Sequence, residues 1–351
     1  MSQRQYDYLV FIGRFEPFHV GHKEVLDKAL ELADNVIVLV GSAHQPRTVK
    51  NPFNFEERKM MIREANKAFP GGENCTRIIV EPLRDNKYND QAWAASVQNI
   101  VKRIDTSFGW SDKPRRGGII GHVKDESSYY LEMFPQWDLI DHEINEEVHA
   151  TDIRDIFFES NLRYLKDVVP GPTYQFLSDF SYKPVYDSLV REQKFIKAYK
   201  KSWEVAPYAP TFLTCDAVVV QSGHILLIKR KAEPGRGLWA LPGGFVNPRE
   251  RIEDGMIREL REETKIRVPG PVLRGSIKAK EVFDHPDRSL RGRTVTQAYY
   301  IELPPGKLPA VKGSDDAEAA KWVPLAFVKE EEMFEDHYSI ITKMTGNSKE
   351  Q

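Results

Sequence analysis

The stretch Tyr8-Leu9-Val10-Phe11-Ile12-Gly13-Arg14-Phe15-Glu16-Pro17-Phe18-His19-Val20-Gly21-His22 decides the fold of the first half of the chain. Its first five residues are an uncharged β-branched and aromatic run, the pattern of a strand buried on both faces. Gly and Pro then punctuate a turn from Gly13 to Gly21. A helical pattern follows over residues 22–33, with Val25, Leu26, Ala29, Leu30 and Ala33 on one face. Residues 36–40 form a second, wholly apolar strand. Strand, turn, helix and strand in this order make one unit of a parallel sheet, so the expected fold class is α/β with a Rossmann-like parallel sheet. Weaker repeats follow, with strands at 77–80, 118–122 and 137–140, helices at 91–104 and 125–134, and a further helix after Thr151.

The second half reads differently. Strands at 217–221, 224–229, 275–282 and 294–302 surround one strong helix at 253–265, an α+β arrangement. Between the halves, Val185, Leu189, Phe195, Ile196, Tyr199 and Trp203 recur at helical spacing beside five Lys and Arg residues; a solvated helix face explains those charges better than a polyanion site. The expected organisation is a nucleotide-binding domain over 1–180, a helical connector over 181–206 and a second domain over 207–345.

Composition excludes several classes. The 351 residues carry 50 Lys and Arg against 52 Asp and Glu, a net charge of −2, so there is no positive field for a nucleic-acid partner. The longest aliphatic run, residues 36–40, is far short of the ~20 residues that span a membrane, and no membrane partner is expected. Two cysteines, Cys75 and Cys215, form no CxxC pair and supply neither a disulfide framework nor a zinc site. A reducing, cytoplasmic location is expected. A homo-oligomer is left open.

Two clusters carry chemistry. His19 and His22 sit three residues apart at a strand-to-helix junction with Arg14. There helix amides and dipole favour an anion, and Gly21 leaves room for a phosphate to approach backbone. Donors aimed at charge developing on phosphorus are what nucleotidyl transfer demands of a protein. In the second half Glu259, Glu262 and Glu263 stand at i, i+3 and i+4. Three carboxylates on one helical face repel one another, and a hard divalent cation turns that repulsion into a site. Mg²⁺ is the expected ion, with Mn²⁺ as a substitute.

The first cluster resembles the HxGH signature of the nucleotidyltransferase superfamily, and GRFEPFHVGH is similar to the GRFQPFHxGH form of archaeal-type nicotinamide mononucleotide (NMN) adenylyltransferases. Glu16 stands where that family usually has Gln and adds a negative charge near the expected ligand. His149-Ala150-Thr151-Asp152-Ile153-Arg154 resembles the late ISxTxxR motif, with Thr151 as helix N-cap and Arg154 assigned to the triphosphate. A cation at a helix N-terminus is disfavoured by the dipole, which a bound anion explains, as does an exposed arginine that tolerates its place. Asn51-Pro52-Phe53 with Glu57-Arg58 resembles the NPFxxxER segment, and Lys50 precedes it as a phosphate contact. Asp85, Asp90 and Trp93 resemble the NMN-binding stretch; Trp93 either stacks the nicotinamide or belongs to the core. Lys124, in the 121–125 segment, is carried over as an ATP contact.

Gly244, Glu250, Arg258, Glu259, Leu260, Glu262, Glu263 and Ile266 stand at the intervals of the Nudix box, with Lys265 where the pattern has Gly. The resemblance implies Glu259, Glu262, Glu263 and Glu250 as metal ligands and Glu262 or Glu263 as base; Glu250 also reads as a capping residue after Asn247-Pro248. Residues 237–245 and the loop bearing Arg288, Arg291 and Arg293 are similar to the ADP-ribose pyrophosphatase branch. The chain as a whole resembles fused NMN adenylyltransferase/Nudix hydrolases. ATP, NMN and ADP-ribose are the implied partners. The alternatives are another phosphate acceptor for the first domain and a non-catalytic ADP-ribose sensor for the second.

Overall fold

The computed structural model describes residues 4–67, 74–107, 115–122, 126–144, 148–314 and 316–346. It divides into two compact units, Met1–Val190 and Arg191–Gln351.

The first unit runs β1 (Tyr6–Gly13), α1 (Val20–Leu32), β2 (Ala33–Val40), α2 (Phe55–Glu64), α3 (Asn74–Arg77), β3 (Ile78–Pro82), α4 (Asp90–Ser107), β4 (Gly117–Gly121), β5 (Asp138–Asp141), α5 (Ala150–Phe158) and α6 (Gly171–Phe180). The sheet order is β3-β2-β1-β4-β5 and every pairing is parallel. Strand residues alternate between two cores. Leu9, Phe11, Val36, Val38 and Ile120 pack with α1, α2, α5 and α6 on one face. Val10, Ile12, Ile37, Leu39 and Ile119 pack with α4 on the other. Each such side chain, wholly buried, contributes about 1.5–3 kcal/mol. Strand order reverses between β1 and β4, and the carboxyl ends of strands at such a point form the crevice where α/β folds bind ligands. The turn containing both histidines leaves β1 there.

The predicted helix over 125–134 is instead a 3-10 helix, Glu126–Met133. The predicted connector is helical, as its amphipathic spacing implies. It is α7 (Pro184–Lys201), and the division into units falls inside it. Tyr186 and Leu189 are buried in the first unit's core, which is why the amphipathic pattern starts there.

The second unit contains β6 (Phe212–Gln221), β7 (His224–Arg230), β8 (Trp239–Ala240), β9 (Gly243–Phe245), α8 (Ile252–Thr264), α9 (Gly270–Gly275), β10 (Ile277–Phe283), β11 (Thr294–Glu302), β12 (Ala317–Pro324) and α10 (His337–Thr345). A mixed sheet in the order β10-β11-β6-β7-β12 has β8 on β7 and β9 on β6. Only the β11–β6 pairing is parallel among the described strands. Met256, Ile257 and Leu260 of α8 pack on Cys215, Ala217 and Leu226. The strand β12 and helix α10 had no counterpart in the sequence reading. Among the described residues no helix is long and apolar enough to cross a membrane.

Candidate active sites

The histidines of the first site close a reciprocal capping box. The His22 N–H donates to His19 Nδ1 at 3.4 Å, and the His19 N–H donates to His22 Nδ1 at 3.3 Å. The rings stack with centroids 3.6 Å apart. An Nδ1 that accepts a hydrogen bond carries no proton, so each neutral ring bears its proton on Nε2. Phe18 stacks on His22, and Phe15 meets it edge-on at 4.8 Å. The helix begins at Val20, two residues earlier than predicted, because His19 is the cap.

The expected cradle of free amides is only partly present. Val20 N–H donates to Val168 O and the His22 N–H to His19, leaving Gly21 as the amide of that turn without an assigned acceptor among the described residues. Gly21 also has a second reason to lack a side chain: a Cβ would stand 3.3 Å from the His19 ring and from Ile144.

Glu16 corrects an expectation. Its side chain is buried, not presented to a ligand: Oε2 accepts from Phe53 N–H at 3.1 Å, and Oε1 lies 3.2 Å from Arg58 Nη1. Burial pushes its carboxyl up to about 8, against the lowering pull of Arg58, the Phe53 amide, Arg154 and Arg14. Arg58 donates to the carbonyls of Arg14, Gly41 and Ser42, tying the carboxyl ends of β1 and β2 together. The NPFxxxER pattern carried this residue, but nothing local announced its partners.

Arg154 is buried, with Nη1 donating to Glu16 O at 2.7 Å and Nη2 to Thr151 Oγ1 at 3.1 Å. Burial and the neighbouring Arg14 lower it to about 10. It braces the histidine turn, so it is not an exposed arginine that merely tolerates its place. Thr151 is not the N-cap: that position is His149, and Thr151 lies inside the first turn, where its hydroxyl accepts from Arg154. Arg14 is exposed at the mouth. Lys50 is half-buried in a turn closed by reciprocal bonds between Thr48 and Asn51. Asp85 holds Ser42 through both oxygens, at 3.0 and 2.7 Å, and so shapes the loop after β2. Asp90 opens α4 and is exposed. Trp93 is half-buried, edge-on to Tyr130 at 5.9 Å and tilted against Phe134, on the margin of the second core. Lys124 lies outside the described residues.

In the second site, Arg258 gathers the acids. Its Nε and Nη2 form a fork on Glu250 at 2.8 and 3.0 Å, while Nη1 reaches Glu259 at 2.8 Å and Glu262 at 3.0 Å. Glu250 makes the contact of a capping residue, accepting from Asn247 N–H at 3.0 Å, but it does so in a turn, since α8 does not start until Ile252. The fork holds the Glu250 carboxyl down at about 2. Glu263 is buried, accepts from Gly243 N–H at 2.9 Å, and is pushed up to about 8 by burial. Burial also raises Glu259. The box glycine now has a physical reason, because a Cβ on Gly244 would fall 2.4 Å from Glu259 Oε1.

Among the described residues no three acidic, His or Cys side chains converge as a finished metal cage. The donor set nevertheless fits a hard cation: all ligating atoms are oxygen, Glu263 is buried and Glu259 half-buried, both are raised, and the ion pairs that reach the triplet among the described residues come from one shared guanidinium. Lys265 ends α8 in the left-handed conformation, φ 51°, the strained position a Gly would relieve.

The loop arginines divide. Arg288 turns inward: it is buried and doubly bonded to Asp336 at 3.0 and 2.9 Å, so its charge is spent on holding the start of α10. Arg293 donates to Asp284 O on the surface. Arg291 lies over Phe245 at 5.4 Å, beside the box glycines. Two residues the sequence reading missed stand behind those glycines. Asp216 is buried, accepts from Thr296 Oγ1 at 2.6 Å, and would meet a Cβ on Gly243 at 2.6 Å. His337 accepts from Leu241 N–H at 2.9 Å and lies 3.9 Å from Asp216.

Comparison with known proteins matches this division. The Cytidylyltransferase-like family matches residues 10–156, and the NUDIX domain family residues 211–344. A nicotinamide/nicotinic acid mononucleotide adenylyltransferase of Acinetobacter baylyi is 39% identical over 192 residues, 54% of this chain and 94% of the relative. An ADP-ribose pyrophosphatase of Methanocaldococcus jannaschii is 31% identical over 140 residues, 40% of this chain and 74% of the relative. The crystal structure of a bifunctional NMN adenylyltransferase/ADP ribose pyrophosphatase from Francisella tularensis, complexed with AMP and a Mn ion, superimposes with a TM-score of 0.90 at 37% identity. The match covers 97% of this chain and 99% of that one. Two sites on two folds, matched along the whole length, place the chain in the family of bifunctional NMN adenylyltransferase/ADP-ribose pyrophosphatases, a cytidylyltransferase-like domain followed by a Nudix domain.

Proposed function

We propose that the chain joins ATP and NMN into NAD⁺ in its first domain and hydrolyses ADP-ribose to AMP and ribose 5-phosphate in its second. The observation that carries this reading is the full-length match to the Francisella enzyme, supported by the intact residue sets at both sites.

In the first reaction the phosphate oxygen of NMN attacks the α-phosphorus of ATP in line, and pyrophosphate leaves. His19 and His22 present Nε2 protons to the charge developing on phosphorus. Arg14, Lys50 and Arg154 hold phosphates, with Arg154 also fixing the turn that carries both histidines. Trp93 and Asp90 face the mononucleotide, and Asp85 keeps the β2 loop in shape. No covalent enzyme intermediate is required.

In the second, Glu259, Glu262 and Glu263 would hold a divalent cation, which would supply Lewis-acid polarisation of the diphosphate and a lowered pKa for an attacking water. Glu262 or Glu263 takes the proton of that water, and the bond to the leaving phosphate breaks. Glu250 acts by holding Arg258, which orients Glu259 and Glu262. Mg²⁺ is the proposed ion, with Mn²⁺ accepted. A cytoplasmic location, where these nucleotides are made and consumed, belongs to the same proposal.

Incubation with ATP and NMN, then separately with ADP-ribose and Mg²⁺, read by chromatography, tests both halves. NAD⁺ with pyrophosphate and AMP with ribose 5-phosphate are expected. No NAD⁺ overturns the first assignment; ADP-ribose bound without release of AMP overturns the second.

A further inference from the structure

We propose that His337, the first residue of α10, is a positioning residue for hydrolysis: its Nδ1 fixes the Leu241-Pro242-Gly243 turn, and that turn sets the carboxyl of Glu263. The inference rests on the proposed hydrolysis and adds the group that steadies one of its acids from behind.

The turn has little of its own to hold it. It joins β8 and β9, strands of two and three residues, and Pro242 brings no N–H. Two amide donors remain, Leu241 and Gly243. Gly243 N–H donates to Glu263 Oε2 at 2.9 Å, and Leu241 N–H donates to His337 Nδ1 at 2.9 Å. Pro242 O accepts from Ala217 N–H at 2.8 Å. The Gly243 amide is thus aimed at Glu263 by bonds made at the two residues before it, one to β6 and one to the imidazole.

The ring is oriented for this contact. With Nδ1 accepting, its neutral form bears the proton on Nε2, which lies 3.9 Å from Asp216 Oδ1. Asp216 accepts from Thr296 Oγ1 at 2.6 Å, and its Oδ1 stands 2.6 Å from where Gly243 would carry a Cβ. The carboxylate beside the ring therefore packs against the same turn. Burial holds His337 below its ordinary pKa, against the raising charge of Asp216, so Nδ1 stays available as an acceptor.

The start of α10 has other supports. Its N-cap, Asp336, is doubly bonded to Arg288, and Phe334 N–H donates to Trp239 O. Those contacts deliver His337 to Leu241. Removing the acceptor then releases the turn and leaves the helix in place.

The test compares two variants with the unmodified full chain: H337F, which keeps a ring but has no acceptor, and H337N, whose Oδ1 stands where Nδ1 was. Mn²⁺ alone is titrated into each, and ADP-ribose hydrolysis is measured at saturating Mg²⁺. H337F is expected to bind Mn²⁺ about 10–100-fold more weakly and to lose kcat to a similar degree, with KM for ADP-ribose within about threefold of wild type. H337N should recover most of both losses, and NAD⁺ synthesis should be unchanged throughout. Thermal melting shows whether each variant is folded; if H337F is not, H337Q, whose amide oxygen falls at the place of Nε2, carries the same expectations. Wild-type Mn²⁺ affinity and kcat in folded H337F overturn the inference. An H337N as impaired as H337F overturns it too, because ring packing and not the acceptor would then be the cause, and so does a rise in KM with kcat unchanged. If the unmodified chain binds Mn²⁺ but leaves ADP-ribose intact, the functional assignment fails, and the Mn²⁺ titration still decides the inference.

Discussion

Glu16 in the first domain and Glu263 in the second are buried carboxyls in nearly the same electrostatic condition, both pushed up to about 8. Their compensation differs. Glu16 has Arg58 at 3.2 Å and the Phe53 amide, so the first site is complete without further charge, and its histidines are already locked by each other's backbone. Glu263 has one amide and the charge of Arg230 without an ion pair, and it stands among Glu259 and Asp216, whose charges raise it further. The first site is preorganised by hydrogen bonds, and the second is a strained acidic face that a cation completes. One chain thus handles phosphoanhydrides by two opposite electrostatic strategies, supplying donors in one domain and ligands for a metal in the other.

The sharpest way to break this comparison is to exchange the defects. His22→Ala should lower NAD⁺ synthesis by about 10²–10³-fold while ADP-ribose hydrolysis is unchanged, and Glu262→Gln should do the reverse. Loss of both activities in one folded variant, read by product chromatography, would show that the sites are not independent. Next in size is Gly244→Ala. Its Cβ displaces Glu259, and hydrolysis should fall by about 10–100-fold with metal affinity weakened alongside, measured by Mn²⁺ titration. Unchanged metal binding would mean that Glu259 is not a ligand.

Smaller effects sharpen the contrast. Because the Glu16 carboxyl is raised in the folded state, the folded chain holds that proton more tightly than the unfolded one. The stability it contributes is therefore greatest at low pH and declines as pH rises from its ordinary value of 4.5 to about 8. Glu16→Gln removes that decline. Its melting temperature relative to wild type should climb across this window and level off above it, gaining about 2–4 °C for every kcal/mol. A flat difference between the two curves would show that Arg58 keeps Glu16 ionised throughout. Least of all, Lys265→Gly relieves a left-handed residue at the end of α8 and should stabilise the second domain by about 1 kcal/mol with hydrolysis unchanged. A decrease in melting temperature would assign Lys265 a contact beyond its backbone strain.

Both reactive clusters were legible because they are contiguous. HxGH and the Nudix box each lie on one turn or one helix, where spacing dictates which side chains meet. The same locality misled in three places. Asn247-Pro248 reads as a helix start although the helix waits until Ile252, Thr151 reads as a cap although His149 precedes it, and Arg288 reads as a ligand although Asp336, forty-eight positions away, consumes it. Trp93 lies on the margin of the second core, and its helical position alone did not separate core from platform. The strand β12 and helix α10 were silent in the sequence reading, and so were the partners at the start of α10, where Asp336 is the N-cap and His337 the first helical residue.

The order of residues by itself determined the parallel strand-turn-helix unit, the paired histidines and the triad of acids on α8, since hydrophobic period and short-range spacing act before the chain has a tertiary structure. Only the folded structure decided that Glu16 faces Arg58 instead of a ligand and that Gly244 makes room for Glu259. Those outcomes depend on desolvation and on partners distant in sequence, and neither is set until each sheet is packed against its own helices.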